Sequence, residues 1–503
     1  MNIYPRARHT LAPMSRQWPL LQSLLQALLF CLALLMGWSS LSHASDGEYK
    51  VSINSSLDRI DVRACFQSGM PRELAADKRL QSQLQGNFYV DGKGIRPRFR
   101  GERLILSARH SCLRYQVALD LDESKASFGR SYRVGRDVVT KPQHWLIQPR
   151  RAVNHDDNIS IRFDLPPGVA VSVPWPEMPN TASSNASNPS YRLAMTDANW
   201  DAQVAFGHFH VEYLDIANTQ LRLAVLDSTP AVNMDDTRRW VLEAAAATLS
   251  VHGHFPQPMP QALVVPVGPR GEAVPFARVL RGGSVALQFY IDPTRPFREF
   301  SEDWTATHEF SHLLLPYVSR RDAWLSEGLA SYMQNVLRAR DGRISERTAW
   351  SKLYAGFQRG IKATRRENSG AFESRSRTGW STMRVYWGGA AIWFLADVEL
   401  RRRSNGQQTV DTVLDQLHDC CMDPGKLWRA KDLMRKMDQL ADTTVFSELY
   451  DRYAHSTRFP DVEPALAALG VDTRRSSVRL RSQADEAHIR SSIMQPPPIT
   501  ESF

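Results

Sequence analysis

The chain reads Thr307-His308-Glu309-Phe310-Ser311-His312-Leu313 near its middle, and Trp324-Leu325-Ser326-Glu327-Gly328 shortly afterwards. His308 and His312 are four residues apart, so on an α-helix both imidazoles lie on one face about one turn apart. Two neutral imidazoles in this arrangement can bind one zinc ion, and Glu309 is placed to accept a proton from a water molecule. A hydrolytic zinc site needs three protein ligands and one open position, and Glu327 is the expected third ligand.

This pattern predicts a definite chemistry. Zinc polarises a scissile carbonyl and lowers the pKa of the attacking water to roughly 7. Glu309 then receives the proton of the water and passes it to the leaving amine. The alternative is a helix that carries two unrelated histidines, and an acidic residue early in the next predicted helix makes that alternative less probable.

Length and composition indicate a folded protein of two or three domains. The chain has 503 residues, of which 43% are hydrophobic and 23% are charged. Its net charge is +9, but Arg6, Arg8 and Arg16 lie in an N-terminal leader without acidic residues, which leaves 9 − 3 = +6 for the remainder. A charge this small over such a length gives no reason to expect nucleic-acid binding.

Residues 1–44 are predicted to be a signal peptide. Basic residues up to Arg16 precede an apolar run from Leu20 to Trp38, and Ser42-His43-Ala44 places small residues at the two cleavage positions. The alternative is an uncleaved membrane anchor, because the apolar run is just long enough to span a bilayer. Both readings place the body of the protein outside the cytoplasm, in the periplasm or the extracellular space.

The cysteines agree with export. Without Cys31 of the leader, four cysteines remain, an even number. Cys65 and Cys112 are predicted to form a disulfide in the N-terminal domain. Cys420 and Cys421 are adjacent, and their pairing is left open because a bridge between neighbours is strained.

The patterning predicts an α+β protein. Residues 45–227 show short alternating segments such as Tyr115–Leu119, Trp145–Ile147 and Ile159–Phe163, which are typical of a β-sandwich-like domain. Residues 228–473 then combine strands with amphipathic helices and are predicted to form a mainly helical domain that carries the metal site. Residues 474–503 are polar and are predicted to be a mobile tail.

Two helix boundaries near the site are predicted from local signals. The helix that carries His308 is expected to begin at Ser301 or Asp303 and to continue to Leu315, where Pro316 ends it. Asp322 is expected to cap the helix that carries Glu327.

These motifs resemble those of the gluzincin metallopeptidases, above all aminopeptidase N and the glycyl-aminopeptidases. The resemblance rests on the HExxH motif, on Trp324-Leu325-Ser326-Glu327-Gly328-Leu329-Ala330-Ser331-Tyr332, and on Val385-Tyr386-Trp387-Gly388-Gly389-Ala390-Ala391. It covers roughly residues 230–403 and implies a thermolysin-like peptidase domain behind a β-rich domain. It also implies that Tyr386 donates a hydrogen bond to the oxyanion of the tetrahedral intermediate, a role that suits a neutral phenol. The alternative for Tyr386 is an ordinary rim residue of an amphipathic helix.

The chain departs from that family in two respects. The segment between His312 and Glu327 is several residues shorter than in most aminopeptidase N relatives. The family also places a Gly-x-Met-Glu-Asn segment ahead of the zinc helix, where its glutamate binds the free amine of the substrate, whereas this chain has Arg281-Gly282-Gly283-Ser284-Val285. Gly282 and Gly283 are candidate substrate-binding residues that could hold an extended peptide by strand addition, and an ordinary turn is the alternative.

Positive charge is concentrated between Arg359 and Arg403, where ten Lys or Arg residues face four Asp or Glu residues. Such a run is usually a solvated helix face, and the more specific hypothesis is a basic wall that attracts acidic peptides.

The sequence therefore predicts an exported zinc-dependent metallopeptidase that acts on peptides, with exo- or endo-cleavage left open. The metal ligands are His308, His312 and Glu327, the general base is Glu309, and the oxyanion stabiliser is Tyr386. One alternative is a catalytically weak or inactive peptide-binding protein of the same fold, and another is a zinc enzyme that acts on an ester or an epoxide.

Overall fold

The computed structural model describes residues 47–122, 130–149, 159–178, 188–193, 201–256, 259–281, 284–366, 382–423, 426–473 and 478–496. The leader predicted for residues 1–44 lies outside these residues. In the described part, no helix is both long enough and apolar enough to cross a membrane.

The N-terminal part consists of strands that form three sheets. The strands are β1 Gly47–Ile53, β2 Arg59–Phe66, β3 Glu73–Ala75, β4 Leu84–Val90, β5 Lys93–Ile95, β6 Arg98–Phe99, β7 Arg103–Ile105, β8 Cys112–Ala118, β9 Leu121–Asp122, β10 Ser131–Val134, β11 Asp137–Thr140, β12 Gln148–Pro149, β13 Ile159–Asp164, β14 Ala170–Ser172, β15 Ser190–Arg192 and β16 Val204–Gly207. Their orders are β15-β13-β1-β2-β8-β4-β5, β14-β16-β11-β10-β9 and β12-β3-β7-β6. Alternate residues of β1, β2 and β8 are buried, as in strands with one face on a core.

A disulfide joins Cys65 of β2 to Cys112 of β8, which are directly opposite each other in the antiparallel register. The predicted pairing of these two cysteines is therefore confirmed. Cys420 and Cys421 are also bonded to each other.

The segment Trp145–Ile147 is not a strand, so that prediction is wrong. It follows a 3-10 turn at Pro142–His144 and is fully buried. The hydroxyl of Tyr115 donates to the Trp145 carbonyl at 3.1 Å and accepts from the Ile147 N–H at 2.8 Å. A side chain thus satisfies backbone groups that would otherwise need a neighbouring strand.

A five-stranded sheet follows and supports the site. Its strands are β17 Val211–Ile216, β18 Thr219–Val225, β19 Gln261–Pro266, β20 Phe276–Leu280 and β21 Ala286–Ile291, in the order β17-β18-β19-β21-β20. The central strands β19 and β21 are buried at every position, as expected for parallel strands covered on both faces. Strands β17 and β18 lie before the predicted domain boundary at residues 227 and 228 yet belong to this sheet, and the boundary itself stays a prediction.

Helices make up most of the remainder. They are α1 Lys78–Gln83, α2 Met234–Ala246, α3 Leu249–His252, α4 Phe297–Glu302, α5 Thr305–Ser311, α6 Ala323–Arg340, α7 Glu346–Arg366, α8 Thr382–Arg403, α9 Val410–Cys421, α10 Ala430–Ala441, α11 Val445–Tyr453, α12 Glu463–Ala468 and α13 Ala487–Ile493, with the short strands β22 Val471–Asp472 and β23 Arg479–Leu480. The combination of sheets and helices is the predicted α+β class. Helices α6 and α8 lie at the centre of the largest apolar core.

Residues 474–503 were predicted to be a mobile tail, and residues 478–496 of this segment pack against the helical core. Val478, Ile489 and Ile493 are buried in the same core as α6 and α8. Arg490 donates to the Glu346 carboxylate at 2.9 Å and to the Arg481 carbonyl at 2.8 Å. The apolar residues of this segment are too sparse to stand out from its polar composition, but their spacing places Ile489 and Ile493 on one helix face.

Candidate metal centre

Helix α5 positions the two histidines. All seven residues of this helix are buried, and it packs against α6 and the outer strand β20. The observed helix is shorter than the predicted one. It begins at Thr305, whose N–H donates to Asp303 at 2.7 Å, and it ends at Ser311. His312 opens a 3-10 turn to Leu314, and this turn still brings the two imidazole centroids to 4.9 Å.

Helix α6 brings Glu327 to both histidines. Glu327 Oε2 lies 3.3 Å from His308 Nε2 and 3.5 Å from His312 Nε2. The three ligand atoms all lie within 4.8 Å of one another, and among the described residues this is the only group of His, Cys, Asp and Glu that converges in this way. The structure thus brings the three residues predicted as metal ligands to one point.

The other imidazole nitrogens have their own partners. His308 Nδ1 lies 2.8 Å from Gln334 Oε1, and His312 Nδ1 lies 2.9 Å from Ser326 Oγ. Because the Gln334 oxygen can only accept, His308 donates from Nδ1, and Nε2, the atom that faces Glu327, is the nitrogen that a metal ion would use. Such partners fix ring orientation at metal sites, so the residues present fit a bound zinc ion.

The charges of the three ligands are strongly coupled. Burial alone would raise the pKa of Glu327, but the charge of His312 and hydrogen bonds from both imidazoles hold this pKa well below its usual range. Burial would lower the pKa of His308, yet the hydrogen bond to Glu327 and the charge of Glu309 raise it. The lowered pKa keeps the Glu327 carboxylate ionised, as a metal ligand must be.

Glu309 is directed towards the sheet. Its side chain is buried, and its carboxylate accepts a hydrogen bond from the N–H of Val279 on β20. Burial raises the pKa of Glu309 above that of an exposed glutamate, while the charges of His308 and His312 oppose this effect. The group is therefore a stronger base than an ordinary glutamate, next to both imidazoles.

Tyr386 of α8 lies against the same centre. Its ring is parallel to that of His308, with centroids 5.7 Å apart and an interplanar angle of 4°. Burial, the charges of Glu327 and Glu309 and a hydrogen bond to Glu327 all raise the pKa of Tyr386 far above its usual value. Its hydroxyl therefore stays protonated at any working pH and remains a hydrogen-bond donor.

Two glycines allow α6 and α8 to come together at this point. A Cβ on Gly328 would collide with the backbone of Gly389, and a Cβ on Gly389 would collide with the carbonyl of Trp324. Gly328 follows Glu327 directly, so this backbone contact sets the position of the carboxylate relative to Tyr386.

Asp322 does not cap α6, which corrects the prediction made for it. It occupies the N-cap position, but its side chain makes no capping bond. Its carboxylate instead accepts from Arg429 Nε at 2.6 Å and from the N–H of Ala430, the first residue of α10, at 3.2 Å. The backbone of Asp322 (φ −108°, ψ 23°) does not have the extended conformation that is typical of a capping residue.

Sequence reasoning missed several residues around the site. Gln334 and Ser326 were detectable in principle, because Gln334 lies two helical turns after Glu327 and Ser326 is its neighbour. Trp304 contacts His308 edge to face at 5.5 Å and is 42% exposed. Gly282 and Gly283, the predicted substrate-binding residues, lie outside the described residues.

The basic run does not form a free wall at the end of α8. Arg401 pairs with Asp397, Arg402 with Glu486, and Arg403 with Glu448. Arg375 and Arg377 of this run lie outside the described residues. The paired arginines serve helix packing, so they are not available to attract a substrate.

No protein-family profile matches this chain, and no curated protein matches it either. Solved structures with a similar fold do exist. An aminopeptidase N family protein from Idiomarina loihiensis has a TM-score of 0.61 at 14% identity, over 84% of this chain and 78% of that chain. Yeast LTA4 hydrolase has a TM-score of 0.52 at 10% identity, over 87% of this chain and 74% of that chain. A variant of an M1 zinc metallopeptidase from Deinococcus radiodurans has a TM-score of 0.50 at 11% identity, over 83% of this chain and 95% of that chain.

Proposed function

We propose that this chain, whose fold is similar to that of M1 zinc metallopeptidases, is an exported zinc-dependent peptidase. The observation that carries the proposal is the convergence of His308, His312 and Glu327 within 4.8 Å. Glu309 as the base and Tyr386 as a neutral donor beside the same point supply the other groups that peptide hydrolysis requires.

In this proposal His308, His312 and Glu327 hold the zinc ion, and Gln334 and Ser326 orient the two imidazoles. Zinc, when bound, supplies a Lewis acid that polarises the scissile carbonyl and acidifies the attacking water. Glu309 takes the proton of that water and delivers it to the leaving amine. The Tyr386 hydroxyl donates to the oxygen on which negative charge develops, and this interaction strengthens only as the transition state forms.

The segment Arg281-Gly282-Gly283-Ser284-Val285 contains no glutamate that could bind the free amine of a substrate. Peptide hydrolysis is therefore proposed without aminopeptidase specificity. The proposal therefore names a peptidase and leaves the position of cleavage to experiment.

Export is proposed on two grounds. The leader has the three regions of a signal peptide, and the body contains the Cys65–Cys112 disulfide, a bond that persists in oxidising compartments. Cell fractionation and N-terminal sequencing test this: we expect the mature chain outside the cytoplasm and beginning near residue 45, and an intact leader on a membrane fraction would indicate the anchored alternative.

The decisive experiment is digestion of a mixed peptide library by the zinc-loaded protein, with product identification by mass spectrometry. We expect cleavage that a chelator abolishes and that zinc restores. Glu309→Gln should bind zinc but cleave several orders of magnitude more slowly, because the base is lost while the ligands remain. Glu302→Gln, on the exposed end of α4, serves as the matched control and should retain full activity.

Two results would contradict the proposal. Wild-type rates in Glu309→Gln would remove the base from the mechanism. A zinc-loaded wild-type protein that binds library peptides without cleaving any would favour the peptide-binding alternative.

A further inference from the structure

Arg281 lies beside the candidate metal centre but has no part in the chemistry described above. It directly follows β20, the outer strand of its sheet. Two residues earlier, the N–H of Val279 binds the carboxylate of Glu309. At a rise of about 3.3 Å per residue, the Cα of Arg281 lies about 7 Å further along the strand than that of Val279, a distance that an arginine side chain can span.

The guanidinium group is held in place on one side. Nη1 donates to the carbonyl of Leu315, which belongs to the turn just after His312. The group also lies over the ring of Tyr317, with 5.5 Å between the guanidinium carbon and the ring centroid. These contacts fix the direction of the side chain while occupying few of its five N–H donors.

Among the described residues, no acid forms an ion pair with Arg281. Burial lowers the pKa of Arg281 to about 10, while Tyr317 and Glu327 oppose this effect, so the group is still a cation at neutral pH. Its one hydrogen bond to a described residue is the bond to Leu315, and no described carboxylate is within ion-pair distance. The cost of placing an unpaired cation in a partly buried position is recovered when an anion binds there.

Two other buried arginines, Arg340 and Arg222, have more hydrogen bonds within the fold than Arg281 has. Arg340 forms two hydrogen bonds to Asp411, at 3.0 and 2.8 Å. Arg222 forms no ion pair with a described acid, but it donates to two backbone carbonyls and is only 3% exposed. Arg281 is more accessible than Arg222 and has fewer partners, so it has donors left for a ligand.

We infer that Arg281 is a specificity-determining residue that binds a carboxylate of the peptide substrate next to the candidate metal centre. This inference rests on the proposed peptidase function. An extended peptide added to the free edge of β20 would pass within reach of Arg281. The planar guanidinium can bind a carboxylate through two parallel hydrogen bonds, which favours an acidic group over its neutral amide. The carboxylate comes either from an acidic side chain or from the C-terminus of the peptide.

The test compares peptides that differ only in one carboxylate. One pair has Glu or Gln beside the bond that the library experiment identifies, and a second pair has a free or an amidated C-terminus. For the pair whose carboxylate binds Arg281, we expect kcat/KM of the wild-type enzyme to be roughly tenfold to hundredfold higher for the acid than for the amide. Salt should reduce this ratio. The pair that responds identifies the source of the carboxylate.

In Arg281→Met the acid-to-amide ratio should fall to about one for that pair, and Arg281→Lys should restore part of it because it keeps the charge without the planar geometry. Arg136→Met removes a charge whose side chain is 69% exposed, in the N-terminal part of the protein, and should leave the ratio unchanged. A wild-type ratio near one for both pairs, or a high ratio that survives in Arg281→Met, would overturn the inference.

Binding measurements separate this inference from the proposed function. The same peptide pairs are titrated into zinc-loaded Glu309→Gln by fluorescence anisotropy, which requires no turnover. Preferential binding of the acid that disappears in Glu309→Gln/Arg281→Met supports the inference even if no cleavage is ever detected. Equal affinity for acid and amide overturns it even if the wild-type protein is an active peptidase.

Discussion

Tyr386 tests whether the groups around the centre act on the transition state. In Tyr386→Phe the ring that lies parallel to His308 is kept and only the hydroxyl is lost. We expect kcat to fall by roughly 10²–10³-fold with little change in KM, because the lost hydrogen bond strengthens as the oxyanion develops. Steady-state kinetics on a library-derived peptide measure both constants. Tyr354→Phe, a tyrosine against the helical core, is the control, and a change in KM alone would assign Tyr386 to substrate binding instead.

The variant Ser326→Ala tests whether Ser326 orients the imidazole of His312, a proposed metal ligand. Its hydroxyl lies 2.9 Å from His312 Nδ1, and Ser326→Ala leaves that nitrogen without this partner. We expect zinc affinity to fall by about 10–100-fold, as measured by competition with a chromogenic chelator. Ser311→Ala is the matched control, because Ser311 is next to His312 but bonds the Thr307 carbonyl instead. Equal affinities in both variants would mean that Ser326 does not orient the imidazole.

At the residue scale, the sequence predicted that His308, His312 and Glu327 converge, because the spacing of the two histidines has a direct geometric meaning on a helix. It could not predict that Arg281 and Val279 lie near the site, since their positions depend on how the strand β20 packs against α5. That contact joins residues about 30 positions apart, and no local pattern encodes it.

At the scale of elements, the crossing of α6 and α8 should be the most sensitive part of the fold. In Gly328→Ala the new methyl group meets the backbone of Gly389, which cannot move aside as a side chain can. The helices must then separate, which displaces Glu327 and Tyr386 relative to each other. We expect kcat/KM to fall by about 10²-fold or more, because a shift of about 1 Å has that effect on a catalytic site.

The matched control for this crossing is Gly271→Ala, where a Cβ would meet nothing within 4 Å. Kinetics and zinc affinity are measured for both variants. If Gly328→Ala were as active as Gly271→Ala, the close contact between α6 and α8 would have no bearing on the site.

Local caps and apolar periodicity define where several of the helices begin. Thr409 illustrates this, because its side chain and that of Thr412 form a reciprocal capping box at the start of α9. The prediction fails where a tertiary contact competes with a local signal. Asp322 has the residue type of a cap, but Arg429 and Ala430 bind its carboxylate instead.

At the scale of the whole molecule, the C-terminal segment closes the helical core. Ile493 is fully buried there, and Ile493→Ala should lower the free energy of unfolding by about 2–5 kcal/mol through the cavity that it leaves. Ser491→Ala, two residues away and outside the core, should change it by less than about 0.5 kcal/mol. Denaturant unfolding followed by circular dichroism measures both. Equal stabilities would show that residues 478–496 do not stabilise the body of the protein.

The proposed function requires His308, His312 and Glu327 to form one zinc centre that serves peptide hydrolysis. The most direct test is the zinc content of wild-type protein, Glu309→Gln and Glu327→Gln after dialysis against dilute zinc, measured by mass spectrometry and compared with kcat/KM. We predict about one zinc ion per chain in the wild type and in Glu309→Gln, activity in the wild type alone, and loss of both zinc and activity in Glu327→Gln. Undiminished zinc binding by Glu327→Gln, or a wild-type protein that binds no zinc, would contradict the account.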